Sequence, residues 1–332
     1  MSRPIFMILT LVFIFLSFGS NPLKVKTAGI VFYNVENLFD TVDDPSKNDN
    51  EFLPSSEKKW NAEKYTDKIT KIAKVLSSTP NDLPVLIGFA EIENRRVLED
   101  LASEKELAPA KYKVVHFDSP DKRGIDVGIL YSKKKIKLLE TKKVSAFTGV
   151  KKRPTRDILL VKCRLKRGPD IYFFINHWPS RYGGREKSEP KRIAVAEILA
   201  NQVDSLLFLN PKAHIIAMGD FNDYPEDKSI NEVLIGERKA KLRNIMENAE
   251  SDYPGSYHYK GKWGYLDQFI VTTTLTDSIL PDLLPGSTKA FSLPEMLYQK
   301  RNGDKIPNRT YGGSKYYGGY SDHLPIYTQI VY

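Results

Sequence analysis

The segment AHIIAMGDFNDYP, residues 213–225, is an apolar run that ends at an acidic residue. Apolar and branched residues fill its first part almost without interruption, which is typical of a strand buried on both faces. The run stops at Asp220, and Asn222 and Asp223 follow before Pro225. The segment therefore predicts a buried strand whose carboxyl end presents polar side chains.

Other apolar segments of the chain are bounded in the same way. Polar residues stand at the ends of further strand-like runs, and they are Asn34 and Glu36, Glu91, Asn176 and His177, Asp267, and the adjacent Asp322 and His323. A single strand end of this kind is ordinary for a turn residue or a helix cap. The repetition indicates that several strand ends converge on one cleft, where loops from a sheet commonly build a functional site.

The order of the elements predicts the fold class. Residues 61–78 have apolar side chains at helical spacing, and residues 191–209 are also typical of a helix. Strand-like runs alternate with helices in the first half, while later runs such as residues 265–271 look antiparallel to their neighbours. This order favours an α/β domain with mixed β-sheets over a purely parallel one.

The residue types in the predicted cleft indicate its chemistry. Carboxylates and amides are hard oxygen ligands, which suit Mg²⁺, Mn²⁺ or Ca²⁺ rather than a thiolate zinc site. Crowded carboxylates repel one another unless a cation lies between them. Histidines add groups that exchange protons near neutral pH. Such a cluster fits phosphoryl transfer, in which a divalent cation neutralises phosphate charge and a base activates water.

Six segments together resemble the endonuclease/exonuclease/phosphatase family. They are, in chain order, NVEN, GFAEIEN, NHWPSR, GDFND, LDQFIV and SDHLPI. The resemblance covers about residues 29–332 and implies a four-layer α/β sandwich, in which two mixed β-sheets lie face to face with helices outside. The family includes pancreatic-type deoxyribonucleases, repair nucleases, inositol polyphosphate 5-phosphatases and neutral sphingomyelinases, so the resemblance implies a phosphoester hydrolase.

The resemblance also implies a role for each polar residue. Four residues would hold or surround a divalent cation, with Glu91 as the principal ligand, and they are Asn34, Glu36, Glu91 and Asp322. Five would act on water or phosphate, and they are His177, Asp220, Asn222, Asp267 and His323. Asp220 would position or deprotonate the attacking water, and Asn222 would hold phosphate oxygens. His323 would contact the scissile phosphate, oriented by Asp267.

Some assignments stay open at this point. Mg²⁺ is the expected cofactor, with Mn²⁺ or Ca²⁺ as alternatives. His177 occupies the position of a second histidine in deoxyribonuclease-like members, and Asp126 either orients it or simply begins a strand. Three arginines are candidates for phosphate contacts, and they are Arg123, Arg156 and Arg181.

The composition and the N-terminus bear on where the chain works. The 332 residues include 50 Lys and Arg against 41 Asp and Glu, a net charge of +9 that is compatible with nucleic acid or other phosphorylated partners. Residues 1–20 combine Arg3, a short apolar run and small residues, which predicts a signal peptide before one domain over residues 25–332. An uncleaved membrane anchor is the alternative. Cys163 is the only cysteine, which excludes an intrachain disulfide.

These features favour a secreted or periplasmic endonuclease that cleaves DNA or RNA. A phosphoesterase for a phosphoinositide, sphingomyelin or a sugar phosphate is the alternative, and a binding module without catalysis is a third hypothesis. We expect a monomer with no stable protein partner and no membrane contact beyond the export signal. Several aromatic residues are candidates for stacking on unpaired bases, and they are Trp178, Tyr182, Tyr316, Tyr317 and Tyr320.

Overall fold

The computed structural model describes residues 25–149, 154–251 and 253–332 as strands, helices and connecting loops. The strands are β1 (Thr27–Leu38), β2 (Leu86–Ile92), β3 (Tyr112–His116), β4 (Asp126–Ser132), β5 (Ile136–Val144), β6 (Ile158–Leu165), β7 (Asp170–His177), β8 (His214–Asp220), β9 (Leu242–Asn244), β10 (Tyr257–Tyr259), β11 (Lys262–Gly264), β12 (Asp267–Thr272), β13 (Asp282–Leu283), β14 (Lys289–Ala290), β15 (Leu297–Gln299), β16 (Lys305–Pro307), β17 (Tyr311–Gly312), β18 (Lys315–Tyr316) and β19 (Ile326–Val331). The α-helices are α1 (Ala62–Ser77), α2 (Arg95–Ser103) and α3 (Arg185–Leu209). A π-helical segment spans Ser229–Ile235, and short 3₁₀ turns span Asn50–Phe52, Ala108–Ala110, Gly236–Arg238, Ile245–Asn248, Thr273–Leu275 and Pro294–Met296.

Two mixed β-sheets contain most of the strands. The first has the order β13–β19–β1–β2–β4–β3, with β14 also paired to β19, and the second has the order β5–β6–β7–β8–β12–β9. Each sheet has one parallel pair at its centre, β1 with β2 and β7 with β8, whereas the other neighbours are antiparallel. The remaining short strands form the hairpins β10–β11, β15–β16 and β17–β18.

The two sheets pack face to face across a shared apolar core. Side chains alternate along a strand, so Phe32 of β1 enters the core between the sheets, where it joins residues such as Ile175 and Met218. Its neighbour Val31 points the other way, into a second apolar cluster with α1 and α2. The outer face of the second sheet is covered by α3. The predicted four-layer α/β sandwich is therefore confirmed.

Both predicted helices are present in the structure, and the start of the second is shifted. The helix predicted over residues 61–78 is α1, whose cap is Asn61, because the Asn61 side chain accepts from the backbone N–H of Lys64. The helix predicted over residues 191–209 begins six residues earlier, at Arg185. Pro190 suggested a boundary, but near the start of a helix a proline removes few backbone hydrogen bonds.

The structure tests the prediction about membrane-spanning helices only for the residues that it describes, and it does not test the prediction of export. Within residues 25–149, 154–251 and 253–332, none of the helices is both long and apolar enough to cross a bilayer. The predicted signal peptide, residues 1–20, lies outside the described residues. The export signal, its alternative as an anchor and the domain start at residue 25 therefore stay predictions.

Candidate active site

The strand ends named in the sequence meet at one edge of the sandwich. The parallel pair β1 and β2 brings Asn34 next to Ala90, one residue before Glu91. The parallel pair β7 and β8 sets His177 opposite Asp220. The antiparallel strand β12 begins at Asp267, directly across from Asp220. Carboxyl ends of parallel strands and amino ends of antiparallel neighbours share an edge, so the topology itself gathers these residues.

The backbone at this edge departs from regular strand geometry. The pairing of β1 with β2 shifts register between Asn34 and Leu38, and that of β2 with β4 shifts next to Glu91. Glu36 and Glu91 have φ values of 49° and 63°, in the left-handed region that non-glycine residues rarely adopt. A bulge redirects a side chain out of the sheet alternation. Strained residues of this kind cluster at functional sites, and here they present both glutamates at the edge.

Asp220 is the hub of the site. Its Oδ2 accepts a hydrogen bond from Asn34 Nδ2 at 3.0 Å, and its Oδ1 accepts one from the backbone N–H of Asn222 at 2.9 Å. Nε2 of His177 lies 3.6 Å from Asp220 Oδ2, and Nε2 of His323 lies 3.9 Å from the same atom. Burial raises the pKa of Asp220 to about 7, a shift that His323 opposes. A carboxyl group with such a pKa can gain or lose a proton near neutral pH.

His323 is held by Asp267, not by its neighbour Asp322. The Nδ1 atom of His323 lies 2.7 Å from Asp267 Oδ2, which also accepts a hydrogen bond from Ser256 Oγ at 2.6 Å. The ring of Tyr257 packs against the imidazole with centroids 4.7 Å apart. Burial alone would lower the pKa of His323, but the charge and hydrogen bond of Asp267 outweigh it and hold that pKa well above its usual value. This setting favours the imidazolium form of His323.

His177 has the opposite electrostatic setting. Its side chain is buried, and burial together with the positive charges of Arg156 and Arg123 lowers its pKa well below the usual value. Its Nε2 lies 3.8 Å from Glu91 Oε1, and its Nδ1 has no hydrogen-bond partner among the described residues. Asp126 does not orient it, because the Asp126 carboxylate faces His116 Nε2 at 3.2 Å and accepts from Ser119. That interpretation of Asp126 is wrong.

Two of the three acidic residues assigned to a cation, Glu36 and Asp322, lie beside a guanidinium. Glu91 Oε2 accepts from the backbone N–H of Asn37 at 2.9 Å, and Glu36 Oε2 accepts from the backbone N–H of Thr310 at 2.6 Å. Arg309 spans two of the carboxylates, with Nε 3.4 Å from Glu36 Oε1 and Nη2 3.0 Å from Asp322 Oδ2. Burial and the charge of Glu36 raise the pKa of Asp322 to about 6. Arg309 therefore offsets part of the repulsion in this group.

The sequence and the fold together identify the family. The sequence profile of the endonuclease/exonuclease/phosphatase family matches residues 29–331. The chain belongs to this family. Its activity is accordingly that of a hydrolase of phosphodiesters or phosphate esters. No curated protein sequence matches the chain.

Solved structures share this fold at low sequence identity. An endonuclease/exonuclease/phosphatase family protein from Bacteroides thetaiotaomicron superposes with a TM-score of 0.59 at 15% identity, covering 93% of this chain and 96% of that one. A mannosyl-6-phosphatase from the same organism gives 0.56 at 15% identity, covering 92% and 100%. TDP2 from D. rerio, complexed with a single-strand DNA product, gives 0.57 at 16% identity, covering 92% and 98%. These identities establish the fold alone.

The donor groups of this family member fit a divalent cation beside Glu91. Enzymes of the family are generally dependent on a divalent metal. The hydrogen bond from Asn37 goes to Oε2 of Glu91, so Oε1 takes no part in it. The Glu91 side chain is 17% exposed, so that a hydrated ion can reach it. Asp322 uses only Oδ2 towards Arg309. Since Mg²⁺ retains several waters and takes one or two carboxylates directly, Glu91 would ligate it, and Glu36, whose oxygens already face Thr310 and Arg309, would act through water.

Sequence reasoning missed several residues that shape the site. Arg309 and Thr310 directly precede the Tyr- and Gly-rich segment YGGSKYYGGY, residues 311–320, which matches none of the family's motifs quoted above. Lys68 of α1 is completely buried and donates to the Glu36 carbonyl at 2.6 Å and to Thr310 Oγ1 at 2.5 Å. A lysine at a core position of an amphipathic helix was the available signal, because buried lysines are rare without partners.

Candidates for phosphate and base contacts differ in their accessibility. Arg156 is buried and donates to the Trp178 carbonyl and to Asp121, so it has a structural role. Arg181 pairs with Asp223 and Asp227. Trp178 and Tyr320 are buried and cannot stack on a base, which corrects the prediction for both. The exposed candidates are Arg123, Tyr182 and Tyr317.

A second group of acidic residues lies behind Glu91 in β2. Glu93 follows two residues later and accepts a hydrogen bond from the backbone N–H of Asp40 at 2.6 Å. Burial raises the pKa of Glu93 to about 8, and the negative charges of Asp40, Asp49 and Asp44 add to this rise. None of these four residues was assigned a role from the sequence.

Proposed function

We propose that the chain is an exported phosphodiester hydrolase that depends on Mg²⁺ and cleaves nucleic acid. The observation that carries the proposal is the contrast between two histidines around Asp220. The setting of His323 favours its charged form, whereas that of His177 favours the neutral form. Neighbouring titratable groups whose surroundings drive their pKa values apart are the usual mark of assigned acid and base roles.

Each residue has a task consistent with its contacts. Asp220, with a pKa of about 7, accepts the proton of the attacking water. His323 donates from Nε2 to a phosphate oxygen and stabilises the negative charge that develops there. Asn222 gives one amide hydrogen to the Trp178 carbonyl at 3.0 Å and keeps the second for phosphate. A bound cation would supply further neutralisation of charge on the phosphate oxygens.

The choice of nucleic acid rests on charge and on exposed aromatic residues. The net charge is +9, and cationic surfaces bind polyphosphate backbones by releasing counterions. Tyr182 is 86% exposed in the loop after His177, and Tyr317 is 54% exposed in the segment before His323. Exposed aromatic rings next to a phosphate site suit stacking on unpaired bases. Single-stranded DNA or RNA is therefore the favoured substrate.

A cavity supports the alternative of a compact phosphoester. It has a volume of about 210 Å³ and lies beside Glu36, with Phe52, Lys58, Arg309 and Tyr311 in its wall. Cationic and aromatic side chains around a small volume also suit a sugar phosphate. The two hypotheses differ in whether Tyr182 and Tyr317 contribute to substrate binding.

Substrate competition and matched variants test the proposal. The purified chain is assayed with Mg²⁺ on single-stranded DNA, RNA, a sugar phosphate and sphingomyelin. Tyr182→Ala and Tyr317→Ala should each raise KM for single strands by about 5- to 150-fold, since stacking contributes about 1–3 kcal/mol per base. Phe208→Ala is the control, because Phe208 is an exposed aromatic of α3, beyond the opposite end of β8. Turnover confined to the sugar phosphate, with both tyrosine variants unchanged, would reject the nucleic acid.

Export is tested separately from chemistry. The short apolar run in residues 1–20 supports cleavage near Gly19 or Ser20. N-terminal sequencing of the protein from its native host should give a start close to residue 20 in the soluble exported fraction. An intact Met1 on membrane-bound protein would favour the anchor.

A further inference from the structure

The base of the loop between β3 and β4 brings together a histidine and two aspartates. His116 is the last residue of β3, Asp126 is the first residue of β4, and Asp118 stands near the start of the loop. One ring nitrogen of His116 and one carboxylate oxygen of each aspartate lie within 4.8 Å of one another. The side chains of His116 and Asp126 are 3% and 1% exposed, whereas that of Asp118 is 80% exposed. The group therefore has a buried side and a side that solvent reaches.

The buried histidine has no hydrogen-bond partner at Nε2. Asp126 Oδ2 lies 3.2 Å from this nitrogen, but the contact is not aligned as a hydrogen bond, and Nε2 has no other partner among the described residues. A buried polar atom without a partner is often explained by a bound water or ion. Two ligands of a tetrahedral zinc ion, each about 2.0–2.2 Å from the metal, lie about 3.3 Å apart. The separation of Nε2 from Oδ2 matches that of two ligands on one ion.

The two aspartates are suited to complete such a site. Asp126 Oδ1 accepts hydrogen bonds from the backbone N–H of Ser119 at 2.9 Å and from Ser119 Oγ, so Oδ2 takes no part in them and faces His116. Metal ligands are commonly oriented by hydrogen bonds of this kind. Asp118 Oδ1 lies 4.0 Å from His116 Nδ1. Because the Asp118 side chain is exposed, its rotation can bring an oxygen to the same ion.

We propose that His116, Asp118 and Asp126 bind a zinc ion that closes the loop 117–125 at its base. Three protein ligands leave the fourth tetrahedral position to water. The imidazole nitrogen favours Zn²⁺ over Mg²⁺ and Ca²⁺, which prefer oxygen ligands throughout. The site shares no residue with the cation site proposed at Glu91 or with the catalytic group around Asp220. It therefore does not depend on the proposed catalytic function.

The loop that the ion closes is linked to the catalytic edge. Asp121 Oδ2 accepts from Arg156 Nη1 at 3.3 Å, and Arg156 Nη2 donates to the Trp178 carbonyl. Asn222 Nδ2 donates to the same carbonyl at 3.0 Å. The loop also carries Arg123, an exposed candidate for phosphate contacts. An ion at the base of the loop reduces the mobility of both charged residues of the loop.

Zinc titration of the purified chain in excess Mg²⁺ tests the proposal. Asp118→Asn changes an exposed side chain, so the variant should fold, and it should lower the Zn²⁺ affinity of one equivalent by at least about tenfold, the scale seen even for outer partners of metal sites. Asp82→Asn is the matched control, because Asp82 is exposed before β2, whereas Asp126 pairs with Ile92 at the other end of that strand. Any zinc bound around Asp220 is common to both variants, so their difference reports the loop site.

Hydrogen exchange locates the ion without the use of activity. Zn²⁺ should protect amides of residues 117–125 in the wild type and in Asp82→Asn and leave those of Asp118→Asn unchanged. His116→Gln removes the imidazole and should lose the same protection. Absence of Zn²⁺ binding by the wild type, equal affinities of the Asp118 and Asp82 variants, or protection confined to the catalytic edge would overturn the proposal. Absence of hydrolysis by a protein whose loop binds zinc would instead count against the proposed function.

Discussion

Replacing Asp267 by asparagine isolates the electrostatic support of His323. Asp267 is completely buried, and its Oδ2 is 2.7 Å from His323 Nδ1. The asparagine keeps an acceptor at this place but removes the negative charge that stabilises the imidazolium. A hydrogen bond to a charged group contributes about 1.5–3 kcal/mol, which corresponds to a loss of about 10- to 150-fold in kcat. Without the negative charge of Asp267, the effect of burial on His323 is no longer outweighed, and the pKa of His323 falls.

The assay is kcat as a function of pH on a phosphodiester with saturating Mg²⁺. In the wild type the loss of activity that follows deprotonation of His323 lies at high pH, and in Asp267→Asn it should move to lower pH. Ser256→Ala is the control, since it removes a hydrogen bond to the same oxygen, 2.6 Å long, without a change of charge. An unchanged kcat and pH profile in Asp267→Asn, with only a lower Tm, would refute the reasoning.

Stability should depend on pH in the same pair of proteins. The folded-state pKa of His323 is raised, so its stabilisation is complete below the unfolded value of about 6.5 and is lost as pH rises through the folded value. Asp267→Asn lacks this contribution. The Tm difference between wild type and variant should therefore be largest in mild acid and narrow at alkaline pH.

Two further variants probe the packing around the site. Arg309→Ala leaves Glu36 and Asp322 without their guanidinium, which is half exposed. The free energy of unfolding should therefore fall by about 1 kcal/mol, and thermal melts should show that Mg²⁺ restores the lost stability. An equal loss of stability with and without Mg²⁺ would contradict this. Gly219→Ala would place a Cβ 2.3 Å from the Asn176 carbonyl oxygen. Denaturant unfolding should therefore show that the free energy of unfolding falls by about 1–3 kcal/mol or more. An unchanged unfolding midpoint would mean that β7 and β8 can move apart at no cost in stability.

The sequence predicted the catalytic edge because burial and chemistry act on the same short segments. An apolar run that stops at Asp220 is buried on both faces, and its parallel partner β7 must end beside it at His177. The pairing of His323 with Asp267 was implied by the family resemblance, and the structure shows this contact. The catalytic roles of these residues stay predictions, since contacts alone do not measure turnover.

The rest of the site could not be read from the sequence for physical reasons. Arg309 reaches Glu36 across 273 positions of the chain, and its segment has no periodicity that would fix its place. The edge strand β5 is largely exposed and rich in lysine, which protects a sheet edge but removes the apolar signal of a strand. The carboxylates of Asp40 and Asp49 lie in a polar loop, where exposure is the normal expectation, and only the fold reveals that they are buried.

Metal dependence of hydrolysis tests the central claim most directly. Wild type and Glu91→Gln are assayed on plasmid DNA and single strands in excess chelator and across a Mg²⁺ titration. The account predicts no cleavage by the wild type in chelator, cleavage restored by Mg²⁺, and a Glu91→Gln protein that needs more Mg²⁺ and turns over more slowly. Undiminished cleavage in chelator, or a Glu91→Gln protein indistinguishable from wild type, would contradict it.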